Sequence, residues 1–241
     1  MTNPDSSTPR VEFLVLDVLG TLVDQPSGVT RALQDAFDLG PATAREASRR
    51  WFHEIEVAQR EVVEGDRPFV PQTILDHEAV RAVGGWLGKD LDESSTARLV
   101  DDLSRLSAWP DSADGLSRLA AGFGTIGLSN AGPGALLGLS VANGLRWHQL
   151  LSSEHAETYK PDPAVYELAV RTSGRPAASC LMVAAHAWDL RAAARVGMRT
   201  AYVRRPVGDP PAPEDRFDLI ASDLHDLLGR LRDDRSVDAH G

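Results

Sequence analysis

The sequence predicts an α/β fold, a doubly wound parallel sheet with an inserted helical segment, and three observations support this. Short apolar runs recur along the 241 residues: "VEFLVL" (11–16), "GTIGLS" (124–129), "SCLMVA" (179–184), "TAYV" (200–203) and "FDLIA" (217–221). Each is continuous rather than alternating, as expected of strands buried on both faces. Helical patterns separate the later runs, and strand alternating with helix means parallel strands joined by right-handed crossovers. The third observation is a single break in the alternation, residues 28–107, where the pattern is helical and no strand-like run occurs.

In chain order, the first strand ends at Leu16 and delivers Asp17 just past its carboxyl end. Four helical patterns follow: "VTRALQDAFDLG", "TAREASRRWFHEIEVAQREVVEG", "TILDHEAVRAVGGWLG" and "STARLVDDLSRLS". They lie between the first strand and the rest of the sheet, so they form an insertion rather than an appended unit. After the second strand come "GALLGLSVANG", "PAVYELAVRTSG", "WDLRAAARVGM" and "LHDLLGRLRD", with Gly144, Gly174 and Gly197 where helix C-caps are expected. The division predicted is a core over 11–27 and 108–232, a helical cap over 28–107, and loose polar tails at 1–10 and 233–241. A cap hinged at both junctions could exclude water from a site beneath it.

Composition narrows the function classes. A formal charge of -10 with no basic run to offset it argues against a nucleic-acid partner. One cysteine, Cys180, leaves neither a disulfide framework nor a Cys-rich metal site. The start "MTNPDSSTPR" lacks the apolar core of a signal peptide, and no run approaches about 18 apolar residues. No membrane role is expected, and a cytoplasmic location is. Only two of the 25 basic residues are lysines, Lys89 and Lys160. Lys160, within "YKPDP", suits a site needing a compact ammonium that guanidinium replaces poorly.

Ligands of such sheets bind beyond the carboxyl ends of the strands. Collecting those ends gathers Asp17, Ser129 and Asn130, Ala185, His186 and Asp189, with Lys160 in the connection between the second and third runs. A carboxylate at a strand end, held by backbone N–H groups and the Thr21 hydroxyl, is a competent nucleophile. Ser129 and Asn130 can bind an anionic group through a hydroxyl and an amide, and equally suit capping of the next helix. Tyr166 reads as a core aromatic as readily as a site residue, and Asp189 alone would pass for a helix-start aspartate.

The motifs "LDVLGT", "LSNA", "YKPDP" and "VAAHAWD", in this order, resemble those of the haloacid dehalogenase superfamily, and most closely the type II 2-haloacid dehalogenases. The resemblance runs from about residue 11 to 225 and implies a Rossmann-like core under a helical cap. It implies Asp17 as nucleophile, Lys160 as the cation holding the nucleophile and substrate carboxylates, and Asp189 as the group that positions water. Thr21 supports the nucleophile, and Tyr166 lies near the site. Ser129 and Asn130 contact substrate, with Asn130 and Trp188 cradling the halide. It also admits a homodimer, and a small anionic substrate.

Leu19 discriminates between chemistries within the superfamily. Its phosphatases place a second aspartate two residues after the nucleophile for proton transfer, and an acidic residue where Ala185 stands to help hold Mg2+. Leucine and alanine do neither, whereas halide leaves without a proton or a metal. The reading is therefore hydrolysis of a short 2-haloalkanoate with no cofactor, Mg2+ entering only if a phosphatase alternative holds; a non-catalytic binding protein is the third alternative. Several positions depart from the dehalogenase pattern. Leu19 replaces an aromatic, Phe52 follows Trp51 where an arginine is usual, and Ala184 and His186 stand for serine and asparagine. His186 can act as base or donor near neutral pH or be structural. Arg49, Arg50, Arg60 and Arg67 remain open as sources of the missing cation.

Overall fold

The computed structural model describes residues 10–238. Six strands form one parallel sheet in the order β3-β2-β1-β4-β5-β6: β1 (Phe13–Leu16), β2 (Gly124–Ser129), β3 (Gln149–Ser152), β4 (Cys180–Ala184), β5 (Arg199–Val203) and β6 (Leu219–Ala221). Order reverses at β1, whose two neighbours are β2 and β4, so the crevice at its carboxyl end is the switch point where ligands bind.

The alternation of side chains along each strand builds two cores. Leu14 and Leu16 of β1, Leu181 and Val183 of β4 and Ala201 and Val203 of β5 face α5 (Ser112–Ala120) and α9 (Leu224–Asp238), meeting Leu116, Leu119, Leu224 and Leu227. Val15, Met182, Ala184 and Tyr202 point the other way, onto α7 (Pro163–Ser173) and α8 (Ala187–Arg195), where Tyr166 and Leu190 close the layer. This is why the runs read as continuously apolar: each face is covered. Each leucine buried this way contributes about 1.5–3 kcal/mol.

Between β1 and α5 lie α1 (Gln25–Phe37), α2 (Pro41–Glu64), α3 (Gln72–Leu87) and α4 (Glu93–Asp102), which share a third core around Leu33, Phe37, Trp51, Leu75 and Val83. Their ends follow local chemistry. Asp24 accepts from the Ser27 N–H at 3.2 Å to start α1, and Gly65 and Gly88 close α2 and α3 in the left-handed conformation. The helix α6 (Pro133–Asn143) follows β2 and ends at Gly144, as α7 ends at Gly174.

Three differences from the sequence reading have physical causes. The edge strand β3 carries the half-polar sequence "QLLS", which shows no clear period, and α5 spans only nine residues. Helix α9 continues to Asp238, so residues 233–238, expected to be a loose tail, are helical. The tail expected at residues 1–10 lies outside the described residues but for Arg10, as do residues 239–241 of the second tail. Among the described residues no helix is long and apolar enough to cross a membrane.

Candidate active site

Past Leu16 the ladder makes one more bond, from the Asp17 N–H to the Val183 carbonyl at 3.0 Å, which fixes the backbone of Asp17 at the switch point. The chain then turns sharply. Gly20 adopts φ +81°, and the N–H groups of Leu22 and Val23 return to the Val18 carbonyl at 2.9 and 3.2 Å. A side chain at Gly20 would be strained by that φ, and its Cβ would fall 2.5 Å from His186 Nε2. The turn leaves the Val18 and Leu19 N–H groups, the two that follow Asp17 in the chain, without a hydrogen bond among the described residues.

Thr21 is brought beneath Asp17 by the same turn. Its hydroxyl donates to Asp17 Oδ2 at 2.6 Å and accepts from the Ala185 N–H at 2.9 Å. The Thr21 carbonyl is held by Arg205 Nε at 2.8 Å, and Arg205 makes a bidentate pair with Asp111 at 2.7 and 3.0 Å. Trp109 donates its indole N–H to the Gly20 carbonyl at 3.1 Å. The nucleophile turn is therefore fixed from below by Trp109, Asp111 and Arg205, none of which the motifs singled out.

Lys160 reaches the other Asp17 oxygen. Its ammonium lies 3.0 Å from Asp17 Oδ1 and 2.7 Å from Asp189 Oδ2, with 1% of the side chain exposed. Asp189, in the first turn of α8, accepts also from the Tyr166 hydroxyl at 2.5 Å. Burial alone would lower the Lys160 pKa, but the two carboxylates outweigh it and hold the amine above the ordinary lysine range. Burial pushes the Asp189 carboxyl up, opposed by the Lys160 ammonium, and burial beside Asp189 drives the Tyr166 phenol well up. Tyr166 is thus a neutral donor at any ordinary pH.

Ser129 is fully buried and its hydroxyl oxygen accepts from the Ala131 N–H at 3.2 Å. Asn130 accepts the Lys160 N–H at 2.8 Å and donates its amide to Gln59 of α2 at 2.9 Å, joining the helical segment to the sheet edge. Leu19 lines a pocket of about 310 Å3 between α6 and the helices α1, α3 and α4. His186 lies with Nε2 3.3 Å from the Leu19 carbonyl, and Trp188, 38% exposed, packs on the His186 ring with centroids 5.9 Å apart. Asp17, Thr21, Lys160, Tyr166 and Asp189 thus form one hydrogen-bonded cluster, with Trp188 outside it.

The four arginines considered for the missing cation bond elsewhere or face solvent. Arg49 and Arg50 pair with Glu46, Arg67 with Glu78, and Arg60 is exposed. Leu19 and Ala185 offer no side-chain oxygen, and the space joining Asp17 to Asp189 is taken by the Lys160 ammonium. Among the described residues no group of three or more His, Cys, Asp or Glu could hold a metal ion.

Residues 11–197 match the family described as haloacid dehalogenase-like hydrolase. The chain is 30% identical over 203 residues to the (S)-2-haloacid dehalogenase of Pseudomonas putida, covering 83% of this chain and 87% of the relative. It is 33% identical over 233 residues to (S)-2-haloacid dehalogenase 1 of Pseudomonas sp. (strain CBS-3), covering 92% and 98%. The crystal structure of the L-2-haloacid dehalogenase PA0810 superimposes with a TM-score of 0.84 at 34% identity, covering 93% of this chain and 99% of that one. A match spanning this much of the sheet and the inserted helices, with similarity to relatives over nearly their full length, makes the chain a member of the haloacid dehalogenase-like hydrolases.

Proposed function

We propose that the chain is a metal-independent 2-haloacid dehalogenase, hydrolysing a short 2-haloalkanoate to a 2-hydroxy acid through an ester on Asp17. One observation carries the reading: the Asp17 carboxylate is held by Lys160 and Thr21 with leucine, not an acid, two residues on. Such a nucleophile suits a leaving group that departs without a proton.

In the first step an Asp17 oxygen displaces halide from C2 in line, the carbon–oxygen bond forming as the carbon–halogen bond breaks, with inversion at carbon. Halide leaves with the bonding pair. Water then adds to the Asp17 carbonyl carbon, the 2-hydroxy acid departs with one water proton, and the carboxylate is regenerated with release of the other. The unpaired Val18 and Leu19 N–H groups and the Lys160 ammonium suit the negative charge that develops on this carbonyl. Asp189, oriented by Tyr166 and Lys160, positions the water, and His186, whose ring lies against the Leu19 carbonyl, assists. Ser129 and Asn130 receive the anionic end of the substrate. The helices from 28 to 107 act as a cap over this edge, a reading supported by their separate core and the Gln59–Asn130 bridge.

The test is halide release from 2-chloropropionate and chloroacetate with EDTA present, beside phosphate release from a panel of phosphate esters with Mg2+. Halide release alone is the expected result; phosphate release alone would refute the reading. A single turnover in 18O-water is expected to leave label in Asp17.

A further inference from the structure

A polar chain leads away from the cluster into the helical segment. The Lys160 N–H donates to Asn130 Oδ1 at 2.8 Å, Asn130 to Gln59 Oε1 at 2.9 Å, Gln59 to Gln72 Oε1 at 2.7 Å, and Gln72 to Asp76 Oδ1 at 2.8 Å. All three amides donate in the same direction. The chain therefore ends on an acceptor, and that acceptor lines the pocket beside Leu19.

We propose that this pocket is a subsite for a substrate tail ending in a hydrogen-bond donor, such as an uncharged amide, a hydroxyl or an ammonium, which Asp76 receives. The proposal rests on the dehalogenase reading and adds the class of substrate. Leu19, Trp51, Leu103 and Ala135 give the walls an apolar character, and Gln72 and Asp76 supply the polar end. At about 310 Å3 the space far exceeds the methyl group of a 2-halopropionate.

Charge in the pocket has one sign. Among the described residues the Asp76 side chain makes a single hydrogen bond, from Gln72, and no ion pair reaches it. Glu154, which accepts the Gln72 N–H at 3.0 Å, adds a second carboxylate facing Asp76, and Asp101 lines the pocket while pairing with Arg105. Among the described residues no lysine or arginine lines the space. Burial pushes the Asp76 carboxyl up to about 7, as befits an acceptor lacking a cation, and a bound donor would favour its ionised form. An anionic tail would meet repulsion, whereas a donor would gain a charge-assisted hydrogen bond.

The experiment compares kcat/KM for chloride release among four substrates: 2-chloropropionate, 2-chloro-4-carbamoylbutanoate, 2-chloropentanedioate and 2-chlorohexanoate. In the wild type the carbamoyl tail is expected to exceed the anionic and the apolar tails by about ten-fold or more, the scale of one hydrogen bond to a charged group. In Asp76→Leu the carbamoyl-to-apolar ratio is expected to fall to about one. In Asp76→Asn, which keeps the shape, the preference for carbamoyl over carboxylate is expected to shrink. Equal kcat/KM for the three longer substrates, or ratios unchanged in both variants, overturns the subsite. Chloride release from 2-chloropropionate alone overturns it while leaving the dehalogenase reading intact. Release from none of the four overturns both.

Discussion

Replacing Lys160 by methionine isolates the electrostatics of the cluster, because the side chain is 1% exposed and touches two carboxylates at 3.0 and 2.7 Å. At an effective dielectric of about 20, each such contact is worth about 6 kcal/mol before desolvation is subtracted. Removing one member of a buried ionic group costs about 3–5 kcal/mol, because the charges left behind have no compensation. That is a large part of a typical total stability of about 5–15 kcal/mol. Without the ammonium, Asp189 loses the charge that opposes its burial, and its folded-state pKa, already raised, moves further above the unfolded one. A carboxyl raised in this way favours the folded state most when it is protonated, so the loss must grow as pH increases. Urea unfolding of wild type and Lys160→Met at pH 5.5 and pH 8.5 measures this directly. The expected destabilisation is about 3–5 kcal/mol at pH 8.5 and clearly smaller at pH 5.5, with chloride release from 2-chloropropionate lost at both. A loss below about 1 kcal/mol, or one equal at the two pH values, would refute the reasoning.

Tyr166→Phe removes the donor 2.5 Å from the buried Asp189 and is expected to cost about 1.5–3 kcal/mol by thermal or urea unfolding. It is expected to slow ester hydrolysis more than ester formation, so a trapped Asp17 ester should accumulate in quenched-flow mass spectrometry. Gly20→Ala meets both the φ of +81° and a contact of 2.5 Å with His186 Nε2, and calorimetry is expected to show destabilisation of about 1–3 kcal/mol together with reduced kcat. Asp76→Asn is expected to raise the melting temperature, and to raise it more at pH 8 than at pH 5. The wild-type carboxyl is driven up to about 7 by burial, so its ionised form destabilises the fold increasingly as pH rises, and the amide does not titrate.

Legibility in the sequence followed physical contrast. Strands β1, β2, β4 and β5 were readable because both faces are buried, which leaves continuous apolar runs; β3, an edge strand with Gln149 exposed, offered no such contrast. Asp17, Lys160 and Asp189 were readable because each terminates or joins elements at one edge of the sheet, and Lys160 stood out as one of two lysines. Gln59, Gln72 and Asp76 were not, because on helices they match the polar positions of any solvated face. Their roles arise only when α2 and α3 pack over Asn130. Arg205 and Asp111 escaped for a related reason, since 94 residues separate them and no local pattern marks either.

The bridge from Lys160 to Asp17 and Asp189 also bears on how the molecule is made. It joins residues 143 and 29 positions apart, and Thr21 reaches Ala185 across 164. Contacts of such separation close large loops, and their entropic cost is met only once β1, β4 and α7 have docked. Synthesis delivers Asp17 early and Asp189 long after, so the first strand must wait, unpaired on that side, for most of the chain to emerge. The charge cluster needs β1, the segment around Lys160 and the start of α8 together, so the chemistry depends on contacts that span most of the chain.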